Sequence, residues 1–134
     1  MVLAISGRVF TGMGKGRYYV GHPEYQSRFL EGLGYRPYPG TLNIKLEEGE
    51  SVRNLEALRR TKGIHVEGFR VGDESFSSLN CFPGRVGAEV ATLLVVDVTY
   101  YNDRVGELIS PVYLRGKFGL RDGDITTFRA DPPR

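Results

Sequence analysis

Hydrophobic positions fall in short runs along the chain, most of them closed by glycine or proline. Residues 2–10 predict a strand, with Val2, Leu3, Ile5, Val9 and Phe10 apolar and a central Gly7 that suggests a bulge. A glycine-rich loop at 11–17 leads into Tyr18-Tyr19-Val20, whose composition predicts a short strand. His22-Pro23 opens a helix that keeps Tyr25, Phe29, Leu30 and Leu33 on one face and ends at Gly32 or Gly34. Residues 41–46 alternate as a half-buried strand, and 51–62 read as a helix with Ser51 as its cap. Ile64 to Val71 alternates again, and 72–87 is turn-rich, with a strand around Phe82. The strongest strand signal is Ala88 to Tyr101, whose apolar run is nearly unbroken; Leu108 to Pro111 extends a hairpin partner across Asn102-Asp103. Val112 to Phe118 holds one helical turn, and Ile125 to Phe128 is a final strand.

About six short strands with brief helices between them predict an all-β fold with short helices, closed as a small barrel. Helix and strand alternate too irregularly for a doubly wound sheet. The length of 134 residues fits one domain over 1–134. Eighteen glycines and seven prolines match the many tight turns. A net charge of +2 argues against strong non-specific attraction to nucleic acid, while leaving room for a local basic patch. One cysteine, Cys81, makes no internal disulfide, and with two histidines it cannot assemble a zinc set; it reads as a small buried hydrophobe. His22 and His65 lack neighbouring ligands and read as surface or satisfied histidines. No apolar run is long enough to span a membrane, and the start lacks the build of a signal peptide, so a cytoplasmic location is expected.

Four places carry candidate chemistry. Gly12-Met13-Gly14-Lys15-Gly16-Arg17 lets backbone amides approach a ligand and adds two cations, which suits a polyphosphate; the same glycines also fit a plain hairpin. Its spacing is neither that of a P-loop nor that of a dinucleotide fingerprint. Thr41 and Asn43, two apart at a strand start, point the same way and offer hard oxygen ligands suited to Mg²⁺; taken by themselves they better suit a simple hydrogen-bonded turn. Thr99 and Glu107 stand near opposite ends of the expected hairpin, where a lone carboxylate is usually just solvated. Val112-Tyr113-Leu114-Arg115 reads as a base-and-phosphate contact or as an ordinary turn with an exposed arginine.

Taken together, Gly12 to Tyr19, Leu33 to Asn43, Glu107 to Pro111 running into Leu114-Arg115, and Leu120-Arg121-Asp122-Gly123-Asp124 resemble the archaeal CTP-dependent riboflavin kinases. Pro37-Tyr38-Pro39-Gly40-Thr41-Leu42-Asn43 is the most specific piece, and the departures lie between residues 50 and 90, where the least chemistry is expected. The resemblance implies a six-stranded cradle-loop β-barrel that transfers the γ-phosphoryl group of CTP to the 5′-hydroxyl of riboflavin, giving FMN and CDP with one divalent ion, Mg²⁺. It places residues 12–17 and 112–115 on the nucleotide, Thr41 and Asn43 on the metal, and Thr99 and Glu107 against the flavin, with Glu107 the candidate catalytic carboxylate. The expected partners are riboflavin, FMN, CTP and CDP, with no nucleic acid or membrane, and a monomer is expected. The competing class is a non-catalytic barrel module that binds single-stranded nucleic acid by stacking and phosphate contacts. The Pro39 to Asn43 segment serves no purpose in such a module.

Overall fold

In the computed structural model, which describes residues 3–47, 49–96 and 104–132, the aliphatic run after residue 88 is the strand Glu89–Val96. Its Ala91, Thr92, Leu93 and Leu94 are all buried, because separate hydrophobic clusters cover its two faces. That is why the run does not alternate. Among the described residues the order is β1 (Ala4–Phe10), α1 (Lys15–Val20), α2 (Pro23–Leu33), β2 (Leu42–Leu46), α3 (Glu50–Arg59), β3 (Ile64–Val66), β4 (Phe69–Val71), β5 (Glu74–Phe76), β6 (Leu79–Val86), β7 (Glu89–Val96), β8 (Val105–Ile109), α4 (Leu114–Phe118) and β9 (Ile125–Ala130).

Six strands close an antiparallel barrel in the order β6, β7, β8, β2, β1, β9, with β9 returning to β6 through Gly84↔Ala130, Arg85↔Arg129 and Val86↔Phe128. Closure leaves the barrel strands without open edges. The other half of that edge of β6 is taken by β3, while β4 and β5 form a separate hairpin. All six barrel strands contribute to one core, among them Ile5, Ile44, Phe82, Leu93, Leu108 and Phe128, joined by Leu55 and Leu58 from α3 and Leu114 from α4. Burial of each such side chain stabilises the fold by about 1.5–3 kcal/mol. Outside the barrel, Tyr25 and Phe29 of α2 pack with Phe76, Cys81, Leu94 and Ile109 in a second cluster. Burial pushes the Cys81 thiol up to about 12, consistent with a small inert hydrophobe.

Several local expectations change. Residues 18–20 belong to helix α1 rather than a strand: Gly14 starts the helix in the left-handed region, at φ +82°, and Val20 anchors it in the second cluster. Tertiary packing overrides the strand propensity of two tyrosines and a valine. Gly7 marks no bulge, since its pairings with Leu46 and Thr126 stay in register. A Cβ there would lie 2.7 Å from the Lys45 carbonyl oxygen, so close strand approach explains the glycine. Helix α3 is capped by Gly49, and Ser51 inside it accepts a hydrogen bond from the Ser6 amide at 2.9 Å. The alternating 64–71 segment breaks into β3 and β4, which belong to different sheets, and the turn-rich 72–87 segment holds β5 and the eight-residue β6. Helix α2 keeps its expected start, with His22 Nδ1 accepting from the Glu24 amide at 3.1 Å and Gly34 closing it at φ +85°. The expected Asn102-Asp103 turn and the far end of the long strand lie outside the described residues.

Candidate functional site

Leu42, Ile44 and Leu108 belong to the barrel core. The two-residue period of a strand therefore turns their neighbours Asn43 and Glu107 outward. Asn43 on β2 stands directly opposite Glu107 on β8, which in turn stands opposite Leu94 on β7. Thr41, just ahead of β2, points the same way, and its Oγ1 donates to Asn43 Oδ1 at 2.8 Å. Asn43 is 6% exposed, so this pair is held rather than merely solvated.

Helix α1 lies over Thr41. A Cβ on Gly16 would sit 2.6 Å from Thr41 Oγ1, whereas one on Gly14 would meet nothing within 4 Å. The two glycines thus serve different needs: Gly14 supplies a backbone conformation, and Gly16 lets α1 approach the hydroxyl. Gly16→Ala is expected to cost about 1–3 kcal/mol by overpacking. Gly14→Ala should cost about 1 kcal/mol, from its positive φ alone. Chemical denaturation of the two variants checks the order.

Two clefts meet at this point. The larger opens onto about 880 Å³ of empty space, solvent at its mouth included. Its wall is largely aromatic and aliphatic (Tyr19, Tyr25, Phe29, Phe76, Leu94), with Lys15, Thr41, Ser75, Ser77 and Glu107 adding polar groups. The smaller, about 360 Å³, lies between residues 38–42 and 112–115, with the stacked rings of Tyr38 and Tyr113 (4.9 Å between centroids) at its lining. Thr41 lines both.

Burial raises the Glu107 carboxyl above its ordinary value, and among the described residues that carboxyl has no side-chain hydrogen bond or ion pair. It is a carboxylate short of solvation and facing a cleft, the condition for a group that moves or orients a proton. Near the smaller cleft, Arg115 is ion-paired with Asp122.

The structure thus brings Met13, Lys15, Gly16, Thr41 and Glu107 into the larger cleft, and Thr41, Val112, Tyr113, Leu114 and Arg115 into the smaller. Asn43 joins through its hydrogen bond to Thr41. Gly12, Gly14 and Arg17 line neither cleft, and Thr99 lies outside the described residues. Ser75, Phe76, Ser77 and Leu79 line the larger cleft although they fall in the 50–90 region, where little chemistry is expected from sequence. Phe76 packs face to face with Phe69 at 4.6 Å and edge-on to Tyr25 at 5.8 Å. The paired aromatics at the two ends of a short alternating segment were the available signal.

A closed small barrel with its polar site outside, between strand ends and a covering helix, is the class that fold and site define. The family model CTP-dep_RFKase, described as "Domain of unknown function DUF120", matches residues 9–129, and the chain belongs to that family. Similar curated proteins include the riboflavin kinase of Methanosarcina barkeri, 42% identical over 124 residues (92% of this chain, 54% of that protein). The riboflavin kinase of Thermoplasma acidophilum is 42% identical over 122 residues (91% and 54%). That of Archaeoglobus fulgidus is 40% identical over 122 residues (91% and 52%). The chain spans about half the length of these relatives. Among the described residues no helix is long and apolar enough to cross a membrane.

Proposed function

We propose that the chain is a riboflavin kinase domain over 1–134, a cytoplasmic monomer that transfers the γ-phosphoryl group of CTP to the 5′-hydroxyl of riboflavin. The observation that carries this reading is the position of Thr41, shared by both clefts and hydrogen-bonded to Asn43, which faces Glu107. A donor in one cleft and an acceptor in the other would react at their junction. The apolar wall of the larger cleft suits a flavin ring, and residues 112–115 in the smaller suit a single-ring base.

Thr41 Oγ1 and Asn43 Oδ1 fit a Mg²⁺ ion. Both are hard oxygen donors of the kind Mg²⁺ takes, held side by side at 2.8 Å by their own hydrogen bond, and they would hold the ion from one side. Among the described residues no group of three or more His, Cys, Asp or Glu is placed to hold a metal. When bound, the ion neutralises phosphate charge and aligns the triphosphate. Lys15 offsets charge on the transferring oxygens, while backbone amides of residues 12–17 orient the phosphates. The flavin hydroxyl oxygen bonds to the γ-phosphorus as the bond to the bridging oxygen breaks and CDP leaves with that electron pair. Glu107 orients the hydroxyl and takes its proton.

A kinase assay on riboflavin with each of the four nucleoside triphosphates tests this. FMN is expected from CTP, with ATP poorer by about 10⁴-fold, because a site built for one hydrogen-bonding pattern leaves its own polar groups unpaired with another. Equal rates from ATP would overturn the CTP assignment and leave the kinase standing. A protein that ignores flavin but shifts an oligonucleotide would favour the binding module.

A further inference from the structure

The turn between α4 and β9 carries a carboxylate that the kinase reading leaves unused. Thr11 Oγ1 lies 3.0 Å from Asp122 Oδ1 and 3.1 Å from Oδ2, so its one proton is shared between them. Arg115 Nη2 makes a short ion pair with Asp122 Oδ1 and also donates to Thr11 Oγ1 at 3.4 Å, which closes a triangle of side chains. The guanidinium and hydroxyl hold the Asp122 carboxyl below its ordinary value.

The turn itself does not need this carboxylate. The Val9 amide donates to the Asp124 carbonyl and the Gly123 amide to the Val9 carbonyl, both at 2.8 Å. The Arg121 amide donates to Asp124 Oδ2 at 2.8 Å, and Gly123 adopts φ +94°. What the Asp122 side chain joins is Thr11, immediately before the 12–17 loop, and Arg115, in the wall of the smaller cleft. These two segments lie 104 residues apart in sequence.

We propose that Asp122 is a positioning residue for the nucleotide: it clamps the start of the 12–17 loop to Arg115 so that both segments meet the triphosphate together. This rests on the reading above, in which both segments hold CTP. Within the described residues only Nη2 of the Arg115 guanidinium is engaged, so the clamp fixes the plane of the group and leaves its other N–H donors for phosphate oxygens. Pairing with Arg115 also offsets the repulsion that a carboxylate this close would exert on a polyphosphate.

The test compares Asp122→Asn and Thr11→Val with wild type by steady-state kinetics in both substrates, by calorimetric titration with CTP, and by thermal melting. Asp122→Asn should raise KM and Kd for CTP about three- to tenfold, the range for an exposed charged network. KM for riboflavin, kcat at saturating CTP and the melting temperature should stay near wild type. Thr11→Val should move CTP affinity the same way by less. CTP affinity within twofold of wild type in a folded Asp122→Asn protein overturns the clamp. So does equal weakening for both substrates with a lowered melting temperature, the mark of a merely structural role. If the wild type binds CTP but makes no FMN, the kinase reading fails and the clamp is judged on Kd alone. If the wild type binds no CTP, both fall.

Discussion

Glu107→Gln is expected to lower kcat by roughly 10²-fold or more while nearly keeping KM for riboflavin, the pattern of a lost general base. The carboxyl projects from β8 into the larger cleft opposite Asn43, and burial already raises it above its ordinary value. A base raised in this way is a better proton acceptor for the flavin hydroxyl than a solvated glutamate would be. A rise in KM with kcat unchanged would reduce Glu107 to a flavin ligand, and no change in either would remove it from the site. The same burial has a thermodynamic consequence. Desolvation favours the neutral acid, so the folded protein binds this proton more tightly than the unfolded chain does. That contribution to stability is present in full below the ordinary glutamate range and is lost as pH rises through the raised folded value. Above that raised value the ionised carboxylate therefore costs stability, and there Glu107→Gln should melt higher than wild type, with the gain vanishing in acid. Thermal melting across pH checks the sign independently of catalysis.

Local pattern carried the barrel a long way. The strands that build it alternate or run apolar, and the helix after His22 shows both its proline start and its glycine stop. Closure was less legible, since it depends on β9 pairing with β6 across more than forty residues of intervening chain, which no local signal encodes. Around the site, the shared direction of Thr41 and Asn43 follows from the period of a strand alone, whereas their role as metal ligands was implied only by the resemblance. The helical state of residues 18–20 was hidden because their propensity points to a strand, and the left-handed Gly14 that starts the helix looks in sequence like one loop glycine among three. The hairpin carrying Phe76 was hidden for another reason: the alternation of 64–71 runs on across the break between β3 and β4, and the three residues of β5 are too few for alternation to register. Their place over the cleft is fixed by ring contacts with α1 and α2, including Tyr19 at 5.7 Å and Tyr25 at 5.8 Å from Phe76.

Thr41→Ala and Asn43→Ala are each expected to lower turnover by ~10²-fold or more, the effect of a reacting group displaced by about 1 Å. Each removes one of the two oxygens that stand 2.8 Å apart at the junction of the clefts. Thr41→Ala also takes the hydrogen-bond donor from an Asn43 amide that is 6% exposed, and an orphaned buried acceptor costs about 1–3 kcal/mol of stability. A fall in rate from that cause alone would be accompanied by a lower melting temperature and by weaker binding of every ligand. Loss of a metal ligand leaves a different signature: the Mg²⁺ concentration for half-maximal rate rises, while riboflavin binding without nucleotide is unchanged. Thr41→Ser, which keeps the hydroxyl and loses only a methyl, separates the two further and should turn over near the wild-type rate. Wild-type rates in both alanine variants would take these residues out of the metal site, and a Thr41→Ser protein as slow as Thr41→Ala would trace the loss to packing beneath α1 instead.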